Sequence, residues 1–281
     1  MQRFILRLSC PDRMGIVAAV GSFLLEHHCN IAESAQFGDH SQRFFMRVSF
    51  DGSPSFSAAA LREAFAPVGD KFSMQWAIYA LDVKQRVVLM VSKFGHCLND
   101  LLYRYRLGAL PIEIPAIVSN HRDFYKLAAA NDIPFHYLPV NADNKQRQER
   151  QLLEIVDESQ CDLVVLARYM QILSPELCAQ LAGRAINIHH SFLPSFQGAR
   201  PYQQAHDRGV KLIGATAHYV TEDLDEGPII EQDVARVDHA MSVEDCAAVG
   251  RDVECAVLAR AVKWHVEHRI LLNGNRTVVF R

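Results

Sequence analysis

The run Arg86-Val87-Val88-Leu89-Met90-Val91-Ser92 decides the fold. A strand with one wet face alternates polar and apolar residues; this one is apolar from 87 to 91 without a break. Both of its faces must therefore be buried, as in a parallel sheet covered by helices on either side. The same pattern continues downstream. Residues 112–119 and 134–140 read as further strands, and Leu163-Val164-Val165-Leu166-Ala167 as another fully apolar one. Segments 96–105, 122–131 and 145–158 lie between them with helical spacing of apolar residues. Alternation of this kind predicts an α/β domain built on a mostly parallel, doubly wound sheet. Ligands on such sheets sit beyond the carboxyl ends of the strands.

Upstream, polar residues interrupt the pattern at Asp82-Val83-Lys84-Gln85, which marks a domain boundary. Residues 1–82 read as a smaller module. Strands at 4–8, 29–32, 44–50 and 73–81 alternate with helical segments at 16–28 and 56–65. The order β-α-β-β-α-β is the ferredoxin-like plan. The larger domain is expected to cover residues 85–281.

Composition narrows the function classes. The chain has 281 residues, enough for about two domains. Its 32 acidic and 29 basic residues give a net charge of −3, without the basic footprint of a nucleic-acid binder. No apolar run reaches the ~20 residues that span a bilayer, and the charged amino end does not read as a signal peptide. Seven cysteines without a CxxC pair argue against a zinc site or disulfide framework. The expectation is a cytoplasmic protein with no metal, no nucleic-acid partner and no membrane partner. The first βα turn, Ser92-Lys93-Phe94-Gly95-His96-Cys97, has neither GxGxxG nor a Walker A pattern, which argues against a bound nucleotide cofactor.

The chemistry concentrates in Ala185-Ile186-Asn187-Ile188-His189-His190-Ser191-Phe192-Leu193-Pro194. On a strand, Asn187, His189 and Ser191 share one face, near the end where ligands bind. An amide and an imidazole on that face can both hydrogen-bond one developing oxyanion. A second strand at 212–220 runs into the acidic turn Thr221-Glu222-Asp223-Leu224-Asp225-Glu226-Gly227-Pro228, which can return a carboxylate to the same place. Regular alternation would put His190 on the opposite face, in a structural role. His218 could support the acidic loop or sit in the core. Met170, Ile172 and Leu173 could line a site or simply be core. Cys97 reads as structural.

Two resemblances follow from these motifs. The strand, the Pro-Asp-Arg-x-Gly turn at 11–15, the helix and Asn30-Ile31 resemble the ACT family of amino-acid-sensing domains. That resemblance implies a small amino-acid effector near Asp12, Gly15 and Asn30, at interfaces between paired modules. Asn-x-His-x-Ser-Phe-Leu-Pro with Gly-Ala-x-Ala-His-Tyr-Val and Asp-Leu-Asp-Glu-Gly-Pro resembles the formyltransferase fold that uses 10-formyltetrahydrofolate. The two joined in one chain resemble the formyltetrahydrofolate deformylase family.

The deformylase resemblance implies that Asn187, His189 and Asp225 are catalytic. It implies folate binding by Met170, Ile172, Leu173, Val220 and Asp223, with no cofactor beyond the folate substrate. It implies hydrolysis to formate and tetrahydrofolate, with formate feeding purine synthesis and one-carbon folate pools kept in balance. Methionine as activator, glycine as inhibitor and a homo-oligomer, tetramer or hexamer, are also implied. Two other readings stay open: formyl transfer to an amine such as glycinamide ribonucleotide, and a catalytically idle folate or amino-acid sensor. The bulky first βα turn, with one glycine, favours water as acceptor because it leaves little room for a phosphate to approach backbone N–H groups.

Overall fold

The structure, a computed structural model, describes residues 1–194 and 201–281. The chain begins with β1 (Gln2–Pro11), α1 (Ile16–Glu26), β2 (Asn30–Gly38), β3 (Arg43–Gly52), α2 (Ala58–Lys71) and β4 (Gln75–Ala80). It continues with β5 (Gln85–Val91), α3 (His96–Arg106), β6 (Ile112–Glu113), β7 (Ile117–Ser119), α4 (Tyr125–Ala129), β8 (Phe135–Tyr137) and α5 (Lys145–Glu158). Next come β9 (Leu163–Leu166), α6 (Pro175–Gln180), β10 (Ala185–His189), α7 (Pro201–Asp207) and β11 (Leu212–Tyr219). The last elements are β12 (Ile229–Arg236), α8 (Val243–Val266), β13 (Ile270–Asn273) and β14 (Arg276–Val279). They form two units: Met1–Lys84 with Glu267–Asn273 and Thr277–Arg281, and Gln85–Val266 with Gly274–Arg276.

The first unit carries an antiparallel sheet in the order β2-β3-β1-β4. Phe4, Leu6, Leu8 and Cys10, two residues apart along β1, pack on Val20, Phe23 and Leu24 of α1 and Leu61 and Phe65 of α2. Phe45, on β3, belongs to a second apolar cluster with Leu271 and Phe280 from the end of the chain. There Arg47, 3% exposed, donates to Glu33 and to the backbone of Glu267, and the His268 ring stacks on Tyr79 at 3.6 Å. The expectation that residues 85–281 form one domain is corrected here. The second unit's main run ends at Val266, and most of the terminal hairpin joins the first. Its strands are four residues each, too short for a pattern to declare a partner.

The second unit is built on a sheet ordered β12-β11-β10-β9-β5-β7-β8, with β6 paired to β5. Strands β5 to β10 pair in parallel, while β11 and β12 are antiparallel. Val87 to Val91 have no exposed surface, which satisfies the reading of the apolar run. Leu152 and Val156 of α5 and Leu177 of α6 pack on Val88, Met90, Val164 and Leu166. The long helix α8 packs against β10, β11, β12 and α3. The strand expected at 112–119 is two short pieces, because Pro115 between them has no N–H to give to a ladder. This topology brings the ends of β5, β9 and β10 side by side.

Candidate active site

Asn187 and His189 project from the last residues of β10. The antiparallel register sets Asn187 opposite His218 and His189 opposite Thr216 on β11. Cross-strand neighbours of this kind are close enough for their side chains to meet. Asp225 comes from the loop that joins β11 to β12. Its φ of 59° is in the left-handed region that non-glycine residues seldom occupy. Such strain persists only where surrounding contacts hold it, and it concentrates at functional sites.

Gly227 is one of those contacts. A Cβ there would stand 1.8 Å from the backbone oxygen of Tyr219, so only glycine lets the loop lie against the end of β11. The Tyr219 N–H donates to the Pro228 carbonyl at 3.0 Å, closing the loop's base.

The side chains converge. His189 Nδ1 lies 3.1 Å from Asp225 Oδ2, and His218 Nε2 lies 3.6 Å from Oδ1. Asn187 Nδ2 is 3.3 Å from His218 Nε2. His218 Nδ1 sits 2.9 Å from the Tyr219 carbonyl, which can only accept, so that nitrogen carries a proton. In the neutral ring Nε2 then accepts from the Asn187 amide, which fixes the amide's orientation. Burial pushes the Asp225 carboxyl up, but the neighbouring imidazoles of His189 and His218 outweigh it and hold the carboxyl well below its usual range. His189 is buried, and among the described residues its Nε2 has no hydrogen-bond partner. Buried polar atoms are nearly always hydrogen-bonded, so one without a protein partner on a cavity-lining residue marks His189 as a candidate working group.

That cavity has a volume of about 260 Å³. Tyr169, Met170, Gln171, Ile172 and Leu173 form one wall, and residues 220–225 the other. Asn187, His189 and His218 line the space between. All five residues expected to hold folate, Met170, Ile172, Leu173, Val220 and Asp223, therefore line one cavity with the expected catalytic trio. Met170 and Ile172 are at least half exposed, so they are not core side chains. Apolar walls with a few convergent polar groups suit a flat heterocycle bearing amide edges.

Two expectations are corrected. His190 does not point away: β10 ends at His189, regular alternation ends with it, and His190 lines the same cavity with its ring 5.0 Å from that of His189. Burial and the neighbouring Arg168 charge push the His190 imidazole down to about 4, so it is neutral at physiological pH. Ser191 does not line the cavity; its backbone oxygen accepts from Thr216 Oγ1 at 2.9 Å.

In the first unit, Asp12 and Gly15 stand together at the start of α1, but Asn30 opens β2 beyond the helix's other end. With α1 eleven residues long, the separation is roughly 16 Å, so one chain does not bring the three together.

Sequence reasoning missed a buried cluster centred on Glu254, in the middle of α8. Glu254 is 1% exposed, with His96 Nε2 at 2.8 Å, Arg168 Nε at 3.3 Å and the Tyr202 hydroxyl in contact. Arg168 has a left-handed φ of 65° and begins the loop that walls the cavity.

Comparison with known proteins agrees with this division. The Formyl transferase family matches residues 85–262 and the ACT domain family residues 4–64. A formyltetrahydrofolate deformylase of Corynebacterium sp. (strain P-1) is 52% identical, over 99% of this chain and 98% of its own. The crystal structure of a formyltetrahydrofolate deformylase from Burkholderia mallei superposes with a TM-score of 0.96 at 56% identity, covering 100% of both chains. A glycinamide ribonucleotide transformylase from Symbiobacterium toebii is more distant, with a TM-score of 0.66 and 28% identity over 70% of this chain and 95% of its own.

Proposed function

The chain belongs to the formyltetrahydrofolate deformylase family, and from that membership we propose that it hydrolyses 10-formyltetrahydrofolate to formate and tetrahydrofolate. The observation that supports this most is the carboxylate of Asp225 on one nitrogen of His189, a residue that lines the cavity together with Asn187.

The formyl group on N10 is an amide, and water adds to its carbon to give a tetrahedral oxyanion. Asn187 has one N–H engaged by His218 and a second to offer that oxygen. His189 Nε2 provides a second donor when its ring carries both protons. Preorganised donors of this kind are each worth on the order of 100-fold or more in rate. Asp225 holds the His189 ring in place and takes the proton that leaves the attacking water. The C–N10 bond then breaks, N10 receives that proton, and formate departs with the water oxygen. Met170, Ile172, Leu173, Val220 and Asp223 clasp the pterin end. No step calls for a metal or a further cofactor.

The test is formate release by the whole chain from 10-formyltetrahydrofolate with no amine added. A requirement for glycinamide ribonucleotide would move the assignment to a transferase. Absence of turnover with intact folate binding would leave a sensor. The same reading places the protein in the cytoplasm as a homo-oligomer, supplying formate for purine synthesis and balancing folate pools. It assigns a small amino-acid effector to Asp12, Gly15 and Asn30. Because Asn30 is remote from the other two within one chain, the effector site would be completed by a second copy.

A further inference from the structure

β10 stops at His189, and the residues that follow bend out of the sheet. Continued alternation would carry His190 to the other face. The bend turns both rings to the cavity, and His190 also meets the Tyr202 ring of the Glu254 cluster edge-on at 6.4 Å. Ser191 and Leu193 lie past the last β10–β11 pair, and both are buried. Buried peptide groups that leave a ladder need partners elsewhere.

Two side chains supply them. Thr216, fully buried, stands opposite His189 across β10 and β11, and Gln232 stands opposite Thr216 across β11 and β12. Thr216 Oγ1 donates to the Ser191 carbonyl at 2.9 Å and accepts from the Leu193 N–H at 3.1 Å. The Gln232 amide nitrogen donates to Thr216 Oγ1 at 2.9 Å and to the Leu193 carbonyl at 3.1 Å. A hydroxyl has one proton and two lone pairs, and an amide nitrogen has two protons. All of these are used, so neither side chain can turn without leaving a partner unpaired. Gly214 completes the seat of the bend: a Cβ there would lie 3.3 Å from Phe192 Cβ and 2.4 Å from the Asp233 carbonyl oxygen.

We propose that Gln232, which does not line the cavity, is a positioning residue for the hydrolysis: through Thr216 and Leu193 it holds the bend that aims His189 and His190 into the cavity. The inference rests on the deformylase reading. Asp225 anchors the His189 ring, but the backbone that carries the ring is held from the far side, by the clamp. A donor to an oxyanion that shifts by an ångström forfeits on the order of 100-fold in rate. β12 is at the end of the sheet and Gln232 is half-buried, so the amide can be exchanged without opening the core.

Gln232→Met keeps the length of the side chain and removes both donors. In the whole chain, kcat for formate release should fall at least about tenfold while KM stays within about threefold, because the clasping residues are untouched. Thr216→Ser keeps the hydroxyl and should stay within about twofold of the parent in both constants. In protein carrying isotope-labelled histidine, Gln232→Met should move the ring resonances of His189 and His190 and leave those of His96 in place.

A smaller loss of kcat, a KM that rises as far as kcat falls, or a Thr216→Ser variant as slow as Gln232→Met would overturn the proposal. So would unmoved His189 resonances, or movement of all three rings alike. A Gln232→Met chain that does not fold also overturns it, since the amide would then be a prop of the sheet. The ring resonances need no turnover, so they are read separately from the parent's formate release, which tests the deformylase reading itself.

Discussion

Two buried carboxylates, Asp225 and Glu254, are held in similar company and differ in what they are free to do. Each is bonded to histidine, and each is kept ionised because its partners outweigh the cost of burial. Asp225 sits on a loop with strained backbone, partly open to a cavity, and its two partners are themselves bordered by that space. Glu254 sits in the middle of a 24-residue helix, sealed from solvent and contacted by three side chains. Ionisation alone therefore does not mark a working group. An incomplete set of partners beside an opening does.

Exchanging each acid for its amide separates the two cases. Asp225→Asn should lower kcat on the order of 10³-fold, since it removes the proton acceptor and the anchor of His189. KM should stay within about threefold, because the clasping residues are untouched. Turnover above a tenth of the parent's would erase the distinction. Asn187→Ala should follow, with a loss of about 10²-fold in kcat from one missing oxyanion donor.

Gly227→Ala probes the loop rather than the acid. The added methyl collides with the Tyr219 carbonyl, so the whole segment carrying Asp225 must shift. Displacement by an ångström typically costs about 100-fold in rate. Steady-state kinetics with circular dichroism will show whether folding is retained; unchanged kcat would mean that the loop adjusts and Gly227 is dispensable. Glu254→Gln should instead act on stability. Breaking a buried ion pair from one side costs about 3–5 kcal/mol, or roughly 10 °C in the protein's thermal midpoint. A midpoint unchanged from the parent's would mean that Arg168 does not need the carboxylate.

The same contrast explains what the sequence disclosed. Apolar runs such as 87–91 and 163–167 announce buried parallel strands, because continuous hydrophobicity has few other uses. Asn187 and His189 are two residues apart on a strand, so their shared face follows from backbone geometry. The acidic turn after the second strand can return a carboxylate, but of its four acids only the family resemblance singles out Asp225. His218 was ambiguous because its value lies in a cross-strand register with Asn187, which depends on pairing rather than local pattern. Arg168 and Glu254 are 86 residues apart in sequence, and a charged residue inside an amphipathic helix reads as surface until its partners are known. His190 was misread because alternation was carried one residue beyond the strand's end.

His190 supplies the subtlest prediction, since it touches both regions. Its imidazole is pushed down to about 4 in the folded protein, against about 6.5 in the unfolded chain. Between those values the unfolded state binds more protons, so acid favours unfolding there. The contribution is absent above about pH 6.5, grows as pH falls, and levels off near the folded value. His190→Gln cannot titrate, so its thermal midpoint should fall less steeply than the parent's between about pH 6.5 and 4. Parallel curves would show that solvent reaches the ring, and that the wall between the Asp225 cavity and the Glu254 cluster is wetter than its packing implies.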